Sequence, residues 1–285
     1  MRPKRLYSES EKETITRKLA EFYSNKPAEY GFYDHRAGYY QTYAEFIERF
    51  ATDKTGKHLE LGCGNWQIPQ SIAEKGYKEV IGCDFFADEQ LSAYLEKLTA
   101  KNASLIKYDG LNIPFPDAYF DSVSSLCVVE HIVDIEDVLN QMDRVLKPKG
   151  VLIIKCPNWS GINNPVRALQ YLTLHRHRYW QYETLIESIV GFFRALGWYF
   201  EAKFSSEPKW ILVYPRMKNG TINFESGDDD VVHLCQPESF KKYFAKKGYK
   251  LLLYNRGEGE SGFAKRFNSW FPSFATTINI VAQKQ

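Results

Sequence analysis

From residue 57 onward, short apolar runs bounded by Gly, Asp and Asn alternate with longer amphipathic stretches. The runs are His58–Leu61, Glu79–Cys83, Ser104–Lys107, Ser122–Leu126 and Val151–Lys155. Short runs of this kind alternating with amphipathic stretches are the pattern of a parallel sheet covered by helices. Between them, 66–76, 87–99 and 134–147 have the spacing of helices. The third opens at Asp134, a candidate N-cap, and closes on Lys147-Pro148-Lys149-Gly150, a helix stop signal. Five strand–helix units in about 100 residues predict a Rossmann-like, doubly wound α/β sheet. Two further strands, 250–254 and 276–283, bring the sheet to seven, with a helix at 237–247 ahead of them.

The flanks have a different texture. Residues 8–50 space Leu19, Phe22, Phe46 and Phe50 among many charges, which predicts two helices separated at Pro27 and Gly31. Past Pro157 the βα rhythm stops. Helical stretches over about 164–200, the apolar segment Trp210–Tyr214 and a loop ending in Asp228-Asp229-Asp230 fill the interval to 235. The expected organisation is therefore an N-terminal helical lid (1–56), a sheet domain made of 57–156 and 236–285, and an inserted helical and aromatic cap (157–235).

Composition narrows the function. With 37 Lys and Arg against 35 Asp and Glu, the net charge is only +2, so no global field draws the chain to nucleic acid. No apolar run reaches the roughly 18 residues of a membrane span, and the polar start MRPKRLYSESEKET shows no secretory signal. The five cysteines, at 63, 83, 127, 156 and 235, are far apart and form no CxxC pair. Reduced thiols in a cytoplasmic protein are expected, with no disulfide frame and no metal site.

The chemistry is concentrated in Leu59-Glu60-Leu61-Gly62-Cys63-Gly64-Asn65-Trp66-Gln67, a strand that opens through glycines into a helix. Glycines there permit positive φ and let a ligand approach the backbone, and a helix start offers unpaired N–H groups. Alone, such a turn is a weak signal. Three features sharpen it. Asp84 ends the second strand 20 residues after Gly64, where a carboxylate can accept both ribose hydroxyls. Glu60, just before the turn, repels a pyrophosphate and attracts a cation. Gln67 stands where a phosphate-cradling loop has its third glycine. Together they favour a nucleoside ligand that is free of phosphate and positively charged.

At this point the sequence resembles the class I S-adenosylmethionine-dependent methyltransferases, in the broad subgroup acting on small molecules, lipids and sugars. The resemblance rests on Glu60–Gly64, Ile81–Asp84, Tyr108-Asp109-Gly110, Ile113–Val123, Val129–Asp134 and Leu146–Leu152 leading to Pro157-Asn158, with Thr276–Ala282 like that family's antiparallel last strand. It implies S-adenosylmethionine as cofactor. Gly62, Cys63 and Gly64 would then approach its methionine part, with Gln67 a departure that leaves one contact in doubt. Asp84 would hold the ribose hydroxyls, and Phe85 would pack on the adenine. Asp109 would accept from the adenine amino group, with Gly110 and Leu111 beside the ring. Glu60 would act indirectly, ordering the loop and neutralising the amino group, while Leu126 and Cys127 pass near the methyl donor.

Other assignments stay open at this stage. His131 is the candidate general base, because imidazole titrates near neutrality; a packed scaffold histidine is the alternative. Asp109 can equally be a turn residue capped by its own backbone. The three aspartates 228–230 do not share one face and suit a solvated loop. Between Trp159 and Tyr214, 13 of 56 residues are aromatic, about 23% against 15% for the chain, enough for either a substrate pocket or the mini-core of a cap. Candidate substrate contacts are Trp159, Arg176, Tyr179 and Trp180 in the cap and Tyr39 and Tyr40 in the lid. The basic run His175-Arg176-His177-Arg178 suits a phosphate, an anionic membrane surface or a solvated helix face. The expected acceptor is a small or lipid- or carrier-linked molecule, most simply methylated at oxygen; nothing in the sequence sets the oligomeric state. The rivals are an NAD(P)-dependent Rossmann oxidoreductase, disfavoured by Gln67 and Glu60, and a non-catalytic cofactor-binding protein of the same fold.

Overall fold

The computed structural model describes residues 8–25, 38–175, 182–222, 229–255, 262–271 and 274–285. The helix break at Pro27 and Gly31, and the candidates Arg176, Tyr179 and Trp180, lie outside them. Seven strands form one sheet in the order β3-β2-β1-β4-β5-β9-β8. They are β1 (Lys57–Leu61), β2 (Glu79–Asp84), β3 (Ala103–Lys107), β4 (Phe120–Leu126), β5 (Leu146–Pro157), β8 (Lys250–Tyr254) and β9 (Thr277–Gln283). The chain steps outward from β1 to β3, then returns past β1 to β4. Strand order thus reverses beside β1, where doubly wound sheets form their ligand crevice.

Register explains why the strand ends converge. Leu61 lies beside Cys83, Asp84 beside Lys107, and Glu60 beside Ser124, all in parallel pairs. Backbone bonds of Lys149 and Gly150 to Lys284, and of Asn158 to Thr276, run β9 against β5, giving the antiparallel last strand. In α5 (Ile135–Val145), Ile135, Val138, Leu139, Met142 and Val145 form one buried stripe. The other helices are α1 (Glu9–Asn25), α2 (Tyr39–Glu48), α3 (Gln67–Ala73), α4 (Asp88–Lys97), α6 (Asn163–Gln170, extended by a π turn to His175), α7 (Leu185–Phe204), α8 (Pro237–Lys246) and α9 (Gly262–Trp270). A two-residue hairpin pairs β6 (Met217–Lys218) with β7 (Thr221–Ile222). No described helix is long and apolar enough to cross a membrane.

Two compact units emerge. One holds 12–128, 134–154 and 281–285; the other holds 1–11, 129–133 and 155–280.

Several local expectations change. Asp134 occupies the N-cap position of α5 without capping it; its carboxylate pairs with Lys12 Nζ at 2.9 Å. The stop expected at Lys147–Gly150 falls slightly earlier, with α5 ending at Val145 and β5 beginning at Leu146. The apolar segment Trp210–Tyr214 forms no strand. Leu212 makes a single bridge to His233, and Ile211 and Val213 pack with Trp198, Val231 and Leu234.

Candidate functional site

In the first unit, the turn after β1 is built around backbone contacts. The Gly62 and Cys63 N–H groups both donate to the Cys83 carbonyl, at 2.8 and 3.2 Å. Gly62 (φ +74°) must lack a side chain, since a Cβ there would stand 2.2 Å from Val128 Cγ2. Gly64 (φ +68°) is different: no described atom beyond its chain neighbours lies within 4 Å of where its Cβ would be. That open cradle is the space a backbone-binding ligand needs. Asn65, overlooked in the sequence, sets the start of α3. Its Oδ1 accepts the Gln67 N–H at 2.7 Å, and its amide donates to Gln67 Oε1 at 3.2 Å.

Asp84 ties the crevice together. One carboxylate oxygen accepts the Gly64 N–H and the other the Phe85 N–H, both at 2.6 Å. These are charge-assisted bonds, so Asp84 orders the glycine turn and keeps its remaining lone pairs for a ligand hydroxyl. The Phe85 ring lies over Gly110, whose Cβ would meet Phe85 Cζ at 2.3 Å. It also runs nearly parallel to Tyr23 of α1, at 7° with centroids 6.2 Å apart, and stands 5.9 Å from Tyr108.

Asp109 takes the turn role left open above. Its Oδ1 accepts the Leu111 and Asn112 N–H groups at 2.8 and 2.7 Å. Partial burial pushes its carboxyl up, but those donors outweigh burial and hold it below the usual carboxylate value. Leu111 is exposed and Leu126 buried. Cys127 sits at φ +55°, a strained conformation for a residue with a Cβ. Cys63 packs with Phe86, Tyr94 and Leu105, and burial pushes the Cys83 thiol far up. Both behave as small apolar residues.

Glu60 is fully buried and does not open to the crevice. Ser124 Oγ donates to its Oε2, and the Tyr43 hydroxyl of α2 lies 3.3–3.4 Å from both oxygens. Ser124 has one proton and gives it to Glu60, so it must accept from His58 Nε2, 2.8 Å away. His58 Nδ1 reaches Ser122 Oγ at 2.8 Å. Burial and the Glu60 charge keep the Tyr43 hydroxyl protonated well above its ordinary range, which preserves it as a donor. The expectation that Glu60 acts through other residues therefore has a concrete form: a Tyr43–Glu60–Ser124–His58–Ser122 chain. Tyr40 is buried and Tyr39 packs edge-on to it, centroids 5.6 Å apart. Tyr40 and Tyr43 thus lie on the buried side of α2.

The second unit carries His131, on a one-turn 3-10 helix (Val129–His131). Its Nδ1 stands 3.3 Å from Asp230 Oδ2 and its Nε2 3.8 Å from Glu130 Oε1. The Glu130 carbonyl accepts the Val232 and His233 N–H groups, both at 2.9 Å, and His233 Nε2 lies 2.7 Å from the Val133 carbonyl. Asp229 and Asp230 are 3% and 2% exposed, so this pair is no solvated loop; backbone pairing to Glu130 draws it inward. Trp159 is partly buried and packs on the Trp198–Ile211–Val213 cluster.

Residues 59–154 match the methyltransferase domain family. That match agrees with the resemblance to the class I S-adenosylmethionine-dependent methyltransferases seen in the sequence. Demethylmenaquinone methyltransferases from Staphylococcus haemolyticus and Staphylococcus carnosus are 35% and 36% identical to this chain over 100 and 103 residues, covering 34% and 35% of this chain and 41% and 42% of theirs. The chain thus spans about two fifths of the length of these relatives. The solved structure of a putative S-adenosylmethionine-dependent methyltransferase from Listeria monocytogenes shares the fold, with a TM-score of 0.55 at 14% identity over 88% of this chain and 100% of that one.

Proposed function

We propose that the protein transfers a methyl group from S-adenosylmethionine to a small or lipid- or carrier-linked acceptor, at an oxygen atom. The observation that carries the reading is the Gly62–Gly64 turn, whose two glycines are at positive φ, with Asp84 accepting the Gly64 N–H and open space above Gly64. Its residues fit a sulfonium nucleoside. The turn gives close backbone approach, Asp84 offers lone pairs to ribose hydroxyls, and nothing in it cradles two phosphates. When bound, the sulfonium supplies an activated methyl group, so the chain must mainly position the acceptor and exclude water.

Within this reading Phe85 and the Asp109–Leu111 turn flank the adenine, and the Tyr43–Glu60–Ser124 chain keeps the end of β1 rigid. His131 serves as general base, with Asp230 Oδ2 standing 3.3 Å from its Nδ1 and Nε2 taking the proton of an acceptor hydroxyl. Two relatives are named for demethylmenaquinone, a small lipid-linked substrate, which supports that acceptor class.

The test is incubation with methyl-labelled S-adenosylmethionine and separate pools of soluble metabolites and extracted lipids. Label recovered as a methoxy group in either pool is the expected result. Label on carbon or nitrogen would overturn the oxygen assignment, and label in neither pool would overturn the acceptor class.

A further inference from the structure

Helix α7 carries the most unusual surface of the second unit. Its inner face buries Ser188, Gly191, Ala195, Trp198 and Ala202. Its outer face is apolar as well. Ile186, Val190, Phe193, Gly197, Phe200 and Phe204 recur at intervals of four, three, four, three and four, the a/d spacing of a helix that packs on another helix. Ile186, Phe193 and Phe204 are 74%, 65% and 77% exposed. Counting about 200 Å² for a fully exposed large side chain, the stripe with Leu185 and Ile189 offers roughly 800 Å². That exceeds the usual patch on a monomer and equals one partner's share of a standard interface, about 800 Å².

Gly197 is the second clue. Glycine inside a helix is destabilising by about 1 kcal/mol relative to alanine, so its presence needs a reason. Gly191 has one, since a Cβ there would meet Tyr182 at 2.2 Å. At Gly197 no described atom outside its chain neighbours and its own helix backbone lies within 4 Å of the Cβ position. The chain's described residues give no cause for this gap, which lies mid-stripe between Phe193 and Phe200.

We propose that two copies of this chain associate through α7, antiparallel about a two-fold axis between Phe193 and Gly197. A two-fold contact must be self-complementary, and this stripe is. Each Phe193 ring covers the gap at the partner's Gly197, Val190 faces the partner's Phe200, and Ile186 faces the partner's Phe204. A lipid surface suits the helix less well. Adsorption gains nothing from a central glycine, and the flanking charges Glu187, Arg194, Glu201 and Lys203 cancel, leaving no attraction to anionic headgroups. The inference stands apart from the methyltransferase reading.

Sedimentation equilibrium of the full chain tests it. Wild type should sediment at twice 33.2 kDa at micromolar concentration. Phe193→Asp, which places a charge on the seam, should raise the dimer dissociation constant by about 100-fold. Gly197→Leu fills the gap without touching its own fold and should raise it at least tenfold, with the far-ultraviolet circular dichroism spectrum unchanged in both variants. Gly197→Leu separates the two partners, because the added side chain strengthens adsorption to a membrane while it blocks the seam. A monomeric wild type, a dimer indifferent to both substitutions, or a 33.2 kDa species that binds phosphatidylglycerol vesicles as well or better with Gly197→Leu would each overturn the proposal.

Discussion

Replacing Ser124 with alanine deletes one hydroxyl and strips two buried groups of their partner. Glu60 Oε2 loses its O–H donor, and His58 Nε2–H loses its acceptor. Both residues are fully buried, so water cannot substitute. The His58 N–H left unbonded costs about 1–3 kcal/mol and the charge-assisted bond lost by Glu60, which keeps only the longer Tyr43 contact, about 1.5–3 kcal/mol, together about 3–5 kcal/mol. The Tyr43 hydroxyl, at 3.3 Å, is already engaged with Glu60 and adds no new bond. At about 2–4 °C per kcal/mol for a chain of this size, the melting midpoint should fall by roughly 6–20 °C. The neighbouring Ser125 is the control. Its buried Oγ has no hydrogen-bond partner among the described residues, so Ser125→Ala should stay within about 0.5 kcal/mol of wild type. Urea unfolding followed by tryptophan fluorescence, alongside thermal circular dichroism, compares them. Equal stability of the two alanine variants would refute the network.

Asp84→Ala should weaken S-adenosylmethionine binding at least tenfold, given about 1.5–3 kcal/mol for each charge-assisted bond; unchanged affinity in a calorimetric titration would remove Asp84 from the site. His131→Ala should slow methyl transfer by about 10²–10⁴-fold while leaving cofactor affinity intact, and turnover within twofold of wild type would retire the general base. The depressed Asp109 carboxyl stabilises its turn fully above the unfolded value near 4 and loses that contribution as pH falls through the lower folded value. The Leu111 and Asn112 amide resonances should therefore hold steady from pH 7 to about pH 4 and move below it, and a transition between pH 5 and 7 would contradict this account of the turn.

The sheet was legible because parallel strands buried on both faces leave continuous apolar runs, and because Gly62, Gly64 and Asp84 mark the crevice in local sequence. What escaped depends on partners distant along the chain. Tyr43, Glu60 and Ser124 span 17 and 64 positions, and only the β1–β4 register and the packing of α2 bring them together. The burial of Asp230 and its approach to His131 arise from backbone pairing between 129–133 and 231–234, which no periodicity announces. Asp134 has the residue type of a cap, yet Lys12 draws its carboxylate away. In α7 the apolar period correctly predicts a helix, but periodicity does not distinguish the face that meets the core from the face left outside.

Calorimetric titration of the full chain with S-adenosylhomocysteine, repeated with Asp84→Ala and with NADH, tests the central claim most directly. The account predicts one saturable site for the nucleoside, weakened at least tenfold by the substitution, and no heat from the dinucleotide. Saturable binding of NADH, with none of S-adenosylhomocysteine, would contradict it.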